Sequence, residues 1–235
     1  MELKFLGRGS AFNVKEGNTS AYIKQDGVLL LIDCGESTFQ RIIENNLLDE
    51  IKEVYVLITH FHSDHIGSLS SLIMYCFYCK GIKPNVYYPK KDNMECFLNS
   101  TGAYHNDLWN TMNKDDLEEK LGLIISPRRV SHVSEVATYG YHLEDNYTGE
   151  IIAYTGDTNS KWSDFIELKY HTWNHTIMYQ DTCLADYEGN VHTSLRELCE
   201  IVPKEYRNKV YCMHLDCDEL IEKAKAEGFN VVEVE

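Results

Sequence analysis

Val54-Tyr55-Val56-Leu57-Ile58-Thr59-His60-Phe61-His62-Ser63-Asp64-His65 is the stretch from which the fold can be read. Its first half is an unbroken β-branched and aromatic run, the pattern of a strand buried on both faces. Its second half packs three imidazoles and a carboxylate into the six residues His60–His65, just past the strand end. On extended backbone His60 and His62 fall on one side, because side chains alternate with period two. If the chain then turns into a helix, Asp64 and His65 swing onto a second, neighbouring position. Imidazole together with carboxylate suits Zn²⁺ and similar divalent ions. A solvated, tag-like His-rich turn is the competing reading. The strand that feeds the cluster and Gly67 behind it argue against that.

The 235 residues carry 43% hydrophobic and 25% charged side chains, which suits one domain with a substantial core. No internal repeat and no Ser/Gly-rich linker divides the chain, so a single domain over 1–235 is expected. No apolar run reaches the roughly 18 residues of a membrane-spanning helix. The opening residues show no basic stretch followed by an apolar segment, so a secretory leader is not expected. With 22 basic against 37 acidic residues the formal charge is −15. Binders of long polyanions need a basic footprint, since neutralising phosphates and releasing counterions supplies most of their affinity. Long nucleic acid is therefore not an expected partner, whereas a small anionic substrate held locally by metal remains open. Eight cysteines in a chain without export features point to reduced thiols and a cytoplasmic location.

Runs rich in Val, Ile, Leu and Tyr, bounded by Gly, Asn or Asp, predict strands at 2–6, 20–25, 28–33, 53–58, 85–88, 123–126, 129–132, 137–143, 151–155, 176–180, 209–213 and 231–235. Helices are predicted at 38–45, 68–79, 115–121, 195–201 and 219–227. Ser194 or Thr193 can cap the fourth, and Gly228 sits where a C′ glycine closes the fifth. Asp26-Gly27 reads as a hairpin turn. A β-meander followed by mixed strands and helices gives an α/β or α+β layered domain.

The spacing His60-x-His62-x-Asp64-His65 resembles the signature of the metallo-β-lactamase-fold hydrolases, and the likeness continues through most of the chain. Ser131-His132-Val133 is similar to that family's third histidine motif. Thr155-Gly156-Asp157-Thr158 is similar to its bridging-aspartate motif, and Cys212-Met213-His214-Leu215 to its last histidine motif. The resemblance implies an αββα sandwich, two mixed β-sheets flanked by helices. It also implies two divalent ions, Zn²⁺ first and Mn²⁺ as the alternative. His60, His62 and His132 would hold one, Asp64, His65 and His214 the other, with Asp157 bridging. Taken alone, His132 or His214 would be an ordinary strand histidine and Asp157 a turn residue. Their order along the chain reverses that reading.

Asn18-Thr19-Ser20-Ala21-Tyr22 and Leu31-Ile32-Asp33-Cys34-Gly35-Glu36 resemble the opening of the tRNase Z-like subgroup. This implies that Asp33 orients a ligand histidine; a strand-end turn aspartate is the competing reading. Gln180-Asp181-Thr182 and His192-Thr193-Ser194 are similar to the subgroup's acidic residue and helix-starting histidine motif, although Asp181 stands where Glu is usual. There the histidine sits beside the scissile phosphate and the carboxylate orients it. His192, Asp181 and Asp64 are thus the candidate catalytic residues. The tRNA-processing members insert a long basic arm before the bridging aspartate. Here residues 133–156 contain no Lys or Arg, which argues against tRNA processing.

Gly7-Arg8-Gly9-Ser10-Ala11-Phe12-Asn13 followed by Asn18-Thr19-Ser20-Ala21 looks like the branch that hydrolyses cyclic mononucleotides, which includes the phage anti-Pycsar phosphodiesterases. The resemblance implies hydrolysis of a 3′,5′-cyclic nucleotide, cCMP or cUMP among the candidates, to a 5′-monophosphate. The setting would be the cytoplasm, that of a host cell if the gene is a phage's. RNA 3′ processing, lactone or thioester hydrolysis, and a non-catalytic redox or sensor role are the alternatives that such a fold also accommodates.

The segment from Leu98 to Trp109 is polar and glycine-bearing, and carries the large aromatics Tyr104 and Trp109. A surface loop with a core-anchoring Trp is the first reading of it; a mobile flap over the site, with Tyr104 or Trp109 stacking on the base, is the second. A homodimer whose partner helps to close the site is expected. Cys76-x-x-Cys79 and the pair Cys212 and Cys217 are expected as structural thiols. The acidic run 115–119 is expected as a solvated face, and His105, His142, His171 and His175 as surface residues.

Overall fold

Strand pairing builds two sheets of the same design. The computed structural model describes residues 2–159 and 175–235; His171 lies outside the described residues. In the first sheet β1 (Lys4–Gly7), β2 (Ser20–Gln25), β3 (Val28–Ile32), β4 (Glu53–Leu57), β5 (Asn85–Tyr87) and β6 (Asn110–Thr111) lie side by side in chain order. The first two pairings are antiparallel and the next three parallel. In the second, β7 (Leu123–Arg129), β8 (Tyr139–Asp145), β9 (Ile151–Tyr154), β10 (Thr176–Asp181), β11 (Val210–Met213) and β12 (Asn230–Val231) repeat that pattern. No repeat in the amino-acid sequence announces this duplication.

Among the described residues the α-helices are α1 (Thr38–Glu44), α2 (Ser63–Ile66), α3 (Leu69–Tyr75), α4 (Lys91–Ser100), α5 (Lys114–Leu121), α6 (Leu195–Ile201) and α7 (Glu219–Ala226), with a 3₁₀ helix at Lys204–Lys209. A π-helical turn, Cys76–Lys80, extends α3. Side-chain alternation sorts the strands into layers. On β3, Leu29 and Leu31 pack with Ile42 of α1 and Leu69 and Leu72 of α3. Val28, Leu30 and Ile32 turn the other way and meet Tyr141, Ile152 and Tyr154 of the second sheet. Ala153, Met178 and Val210 on that sheet's outer side pack with Leu198 of α6 and Leu220 of α7. Each sheet is covered on both faces, which is why β3 and β4 read as continuous apolar runs. The expected αββα sandwich is the one observed.

Local signals held where they were strong. Asp26 and Gly27 both take positive φ, 52° and 81°, as a tight hairpin between twisted strands requires. Ser194 caps α6 in a reciprocal capping box with Glu197. All eight cysteines are free thiols.

Four expectations are corrected. The predicted break between strands at 126 and 129 is absent: β7 runs through Pro127. It can, because β7 pairs only with β8 at the sheet edge, where a missing N–H costs no ladder bond. His132 consequently sits in the loop after β7, not on a strand. Second, α4 and β6 occupy stretches read as irregular; α4 buries only Met94 and Leu98, too short an apolar stripe to show as a period. Third, the supposed flap is docked. Trp109 is 1% exposed within the first core, and its indole N–H donates to the Ala103 carbonyl at 2.9 Å. A buried Trp with its one donor satisfied is a core anchor, so Trp109 cannot stack on a base. Tyr104 is 57% exposed and does not line the cleft described below. Fourth, His142 is buried and His105 partly buried, against the surface positions expected for both.

The turn after β3 is pressed onto α2. Cys34 N–H donates to the His65 carbonyl at 2.7 Å, and Ser68 N–H to the Cys34 carbonyl at 3.1 Å. A Cβ on Gly35 would run into the Asp64 backbone, so only glycine allows this approach. Gly35→Ala should therefore displace α2 and lower the unfolding free energy by roughly 1–3 kcal/mol, as overpacking does. Urea denaturation checks this; an unchanged midpoint would mean that the two turns are free to part.

Candidate metal centre

Residues at the carboxyl ends of strands from both sheets converge on one edge of the sandwich, where open α/β sheets place their ligands. The loop after β4 brings His60, His62, Asp64 and His65; β3, β9 and β11 contribute Asp33, Asp157 and His214; the loop after β7 brings His132. Among the described residues three overlapping groups of ligand atoms result: His60, His62, His132 and Asp157 in the first, Asp64, His65, His214 and Asp157 in the second, and Asp157, Asp181, His192 and His214 in a third that shares members with the second.

In the first group, His60 Nε2 lies 2.9 Å from His62 Nδ1, and His132 Nε2 lies 3.3 Å from the same atom. Asp157 Oδ2 is 3.7 Å from both His60 Nε2 and His132 Nε2. In the second, Asp64 Oδ2 is 3.3 Å from His65 Nε2 and 3.2 Å from His214 Nε2. Asp157 Oδ1 is 3.1 Å and 3.4 Å from those two nitrogens. One carboxylate thus turns one oxygen to each group. Ligand atoms this close together could share an ion within each group.

The other nitrogen of most of these rings is already engaged, which fixes the tautomer. His60 Nδ1 donates to Thr59 Oγ1 at 3.0 Å, and that hydroxyl donates to Asp33 Oδ2 at 2.8 Å. His65 Nδ1 donates to the same Asp33 oxygen at 2.8 Å, and His132 Nδ1 to the Val191 carbonyl at 3.0 Å. His214 Nδ1 faces Asp181 Oδ1 at 3.3 Å. In these four rings Nε2 is therefore left for the cluster, whereas His62 turns its Nδ1 to it. Asp33 itself is held by the Thr59 N–H at 2.8 Å and adopts φ 64°, as His214 adopts φ 60°. Both are left-handed turns just past a strand, at the site, where such conformations concentrate.

Burial, with His65 as the next cause, holds His60 well below the ordinary imidazole range; burial also lowers His132. Neutral rings are the ligating form. Burial opposes charge on Asp64 and Asp157, yet His65 and His214 hold both carboxyls below their usual range. In turn Asp157, Asp181 and Asp64 push His214 up to about 10 against its burial. The second group thus has buried carboxylates that demand cationic partners. His65 Nε2 and Asp157 Oδ1 are buried and face each other at 3.1 Å without forming a well-aligned hydrogen bond. Imidazole nitrogens and carboxylate oxygens converging in this way are a donor set that fits divalent ions such as Zn²⁺ or Mn²⁺.

Beside the cluster, Asp181 Oδ2 lies 2.8 Å from His192 Nδ1 and accepts from Thr158 N–H at 2.8 Å. The His192 ring stands 5.0 Å from the rings of both His132 and His214. Burial works against its charge, but Asp181 outweighs this and holds His192 above the ordinary imidazole range. His62, Asp64, His132, His192 and His214 open into a cleft of about 670 Å³. Thr59 and the Val191 carbonyl were not singled out from the sequence. Thr59 directly precedes His60 and was within reach of inspection; a backbone carbonyl carries no sequence signal.

Metal uptake titrated in metal-free buffer should reach two Zn²⁺ or Mn²⁺ ions per chain. Asp33→Asn, nearly isosteric, removes the acceptor that orients His65. It should weaken the second ion by about 10–100-fold, the usual effect of losing such a partner. Chelator competition reads this directly, and equal affinities in both proteins would remove the orienting role.

The family model described as Anti-Pycsar protein Apyc1 matches residues 1–234. The anti-Pycsar protein Apyc1 of Bacillus phage BSP38 is 29% identical over 238 residues, covering 91% of this chain and 88% of its own. That of Saccharibacillus brassicae is 32% identical over 233 residues, covering 91% and 89%. The metallo-beta-lactamase fold protein YhfI from Bacillus subtilis shares the fold with a TM-score of 0.70 at 16% identity, over 99% of this chain and 95% of that one. The architecture is accordingly the metallo-β-lactamase fold, and the chain belongs to the anti-Pycsar protein Apyc1 family.

Proposed function

We propose that this chain is a binuclear metal-dependent phosphodiesterase that opens a 3′,5′-cyclic mononucleotide to the 5′-monophosphate. The observation that carries the reading is the Asp181–His192 pair at 2.8 Å, set beside two groups of metal-ligating atoms and lining the same cleft. Membership of the anti-Pycsar family supports the cyclic-nucleotide substrate class.

His60, His62, His132 and Asp157 would hold one ion, and Asp64, His65, His214 and Asp157 the other. Bound divalent ions supply a nucleophilic water at neutral pH and neutralise charge on the phosphoryl oxygens. The chain's own part is to place the leaving group. Asp181 engages His192 Nδ1, so Nε2 is the nitrogen that offers its proton to the cleft. As water oxygen bonds to phosphorus and the P–O3′ bond breaks, that proton passes to O3′; the proton the water gives up goes to solvent, and His192 is reprotonated from solvent for the next turnover. Because Asp181 also faces His214 Nδ1, one carboxylate aligns both the acid and a metal ligand.

His192→Ala should keep the metal and lose about 10²–10⁴ in kcat, the usual contribution of a general acid. Steady-state turnover of a cyclic nucleotide together with elemental analysis checks it; undiminished kcat would take the acid role from His192. An acyl-homoserine lactone, a glutathione thioester and a precursor tRNA belong in the same panel, and preferential turnover of one of these would replace the phosphodiesterase reading.

The active form proposed here is a homodimer. Sedimentation equilibrium at micromolar concentration should give twice the 27.2 kDa chain mass. A single-chain mass would reject the dimer.

A further inference from the structure

Two aromatic side chains outside this machinery stand over the same cleft. Phe12 is 95% exposed and Tyr187 61% exposed, and both line the cleft beside His192 and His214. Neither belongs to a hydrophobic core of the molecule. They come from separate segments, Phe12 from the connection between β1 and β2, Tyr187 from the connection between β10 and α6.

Both segments are braced by the residues that follow His214. On one side, Ser10 N–H and Asn13 Nδ2 each donate to the Leu215 carbonyl at 3.0 Å, and Leu215 N–H donates to the Arg8 carbonyl at 2.8 Å. On the other, Leu184 N–H and Ala185 N–H donate to the Asp216 carboxylate at 2.9 and 3.0 Å. The turn that carries Tyr187 is closed by Asn190 Nδ2 donating to the Ala185 carbonyl at 2.9 Å. The stretch His214–Asp216 thus presents a metal ligand and fixes two aromatic-bearing loops around it.

The cleft's chemistry says what such rings would hold. Among the described residues no Lys or Arg lines it, while Glu36 and Asp216 do. Phosphate contacts therefore fall to the metal centre, and affinity for the remainder of the substrate has to come from uncharged surface. We infer that Phe12 and Tyr187 form an aromatic clamp that stacks on the nucleobase and sets the KM of the phosphodiesterase proposed above, on which this inference rests. Asn190 does not read base edges, since its amide serves Ala185 and its Oδ1 accepts from His192 N–H at 3.1 Å. The clamp holds a base by its faces, and every base has those, so purine and pyrimidine are held alike.

The test is steady-state kinetics of Phe12→Ala and Tyr187→Ala on 3′,5′-cyclic CMP, 3′,5′-cyclic AMP and base-free ribose 3′,5′-cyclic phosphate. Loss of one stacking ring should raise KM by about 5- to 150-fold for both nucleotides. The kcat should stay unchanged, as when uniform binding is removed. The base-free substrate should not distinguish the variants from the parent, and Tyr187→Phe, which keeps the ring, should recover most of the loss. Unchanged nucleotide KM values, or an equal penalty on the base-free substrate, would overturn the clamp while leaving the phosphodiesterase standing. A parent protein inert on all three substrates would overturn the phosphodiesterase reading and the clamp with it.

Discussion

The carboxylate of Asp157 turns one oxygen to each of two groups of imidazole and carboxylate atoms, and the rest of the architecture is arranged around that division. Such a concentration of buried charge is costly unless it is compensated. The compensation has three layers: ions for which the donor set is suited, hydrogen bonds that fix each ring, and rigid strands behind them. Asp33 shows how the layers interlock. It is fully buried, it accepts from Thr59 and His65, and through the Thr59 hydroxyl it reaches His60 as well. One carboxylate thus aligns a ring in each group.

The duplicated sheet topology explains how so many ligands reach one edge. In each sheet the strands from the third onward run parallel, so their carboxyl ends point the same way. The first sheet supplies the His60–His65 cluster, the second supplies Asp157, Asp181 and His214. Parallel pairing of β10 with β11 sets Asp181 opposite Met213, which places His214 next to it.

Charge on the outside and inside of the molecule tells a consistent story. A chain of net charge −15, with no Lys or Arg among the described residues that line the cleft, is poorly suited to a polyanion. The proposed substrate, a small ester with a single phosphate, would ask for metal only at that phosphate and for uncharged surface elsewhere.

Features made by neighbours in sequence could be read from the sequence. Histidines spaced by two on extended backbone, the Asp26-Gly27 turn, the Ser194 cap and the doubly buried strands all depend on interactions within a few residues, and all appear where expected. The residues proposed as metal ligands also came together, because their motifs sit at strand ends. What the sequence left open required distant segments to meet. The partner of His132 is a carbonyl 59 residues away, and Asp181 finds both His192 and His214 only through strand order. Trp109 shows the same division: its polar, glycine-bearing stretch allows either a core anchor or a lid, and only the Ala103 carbonyl and the first core settle it as the anchor. Local backbone geometry and side-chain period fix what a segment can be; which side chains are buried and which face the cleft is decided by collective packing, where each segment's neighbours are set by all the others.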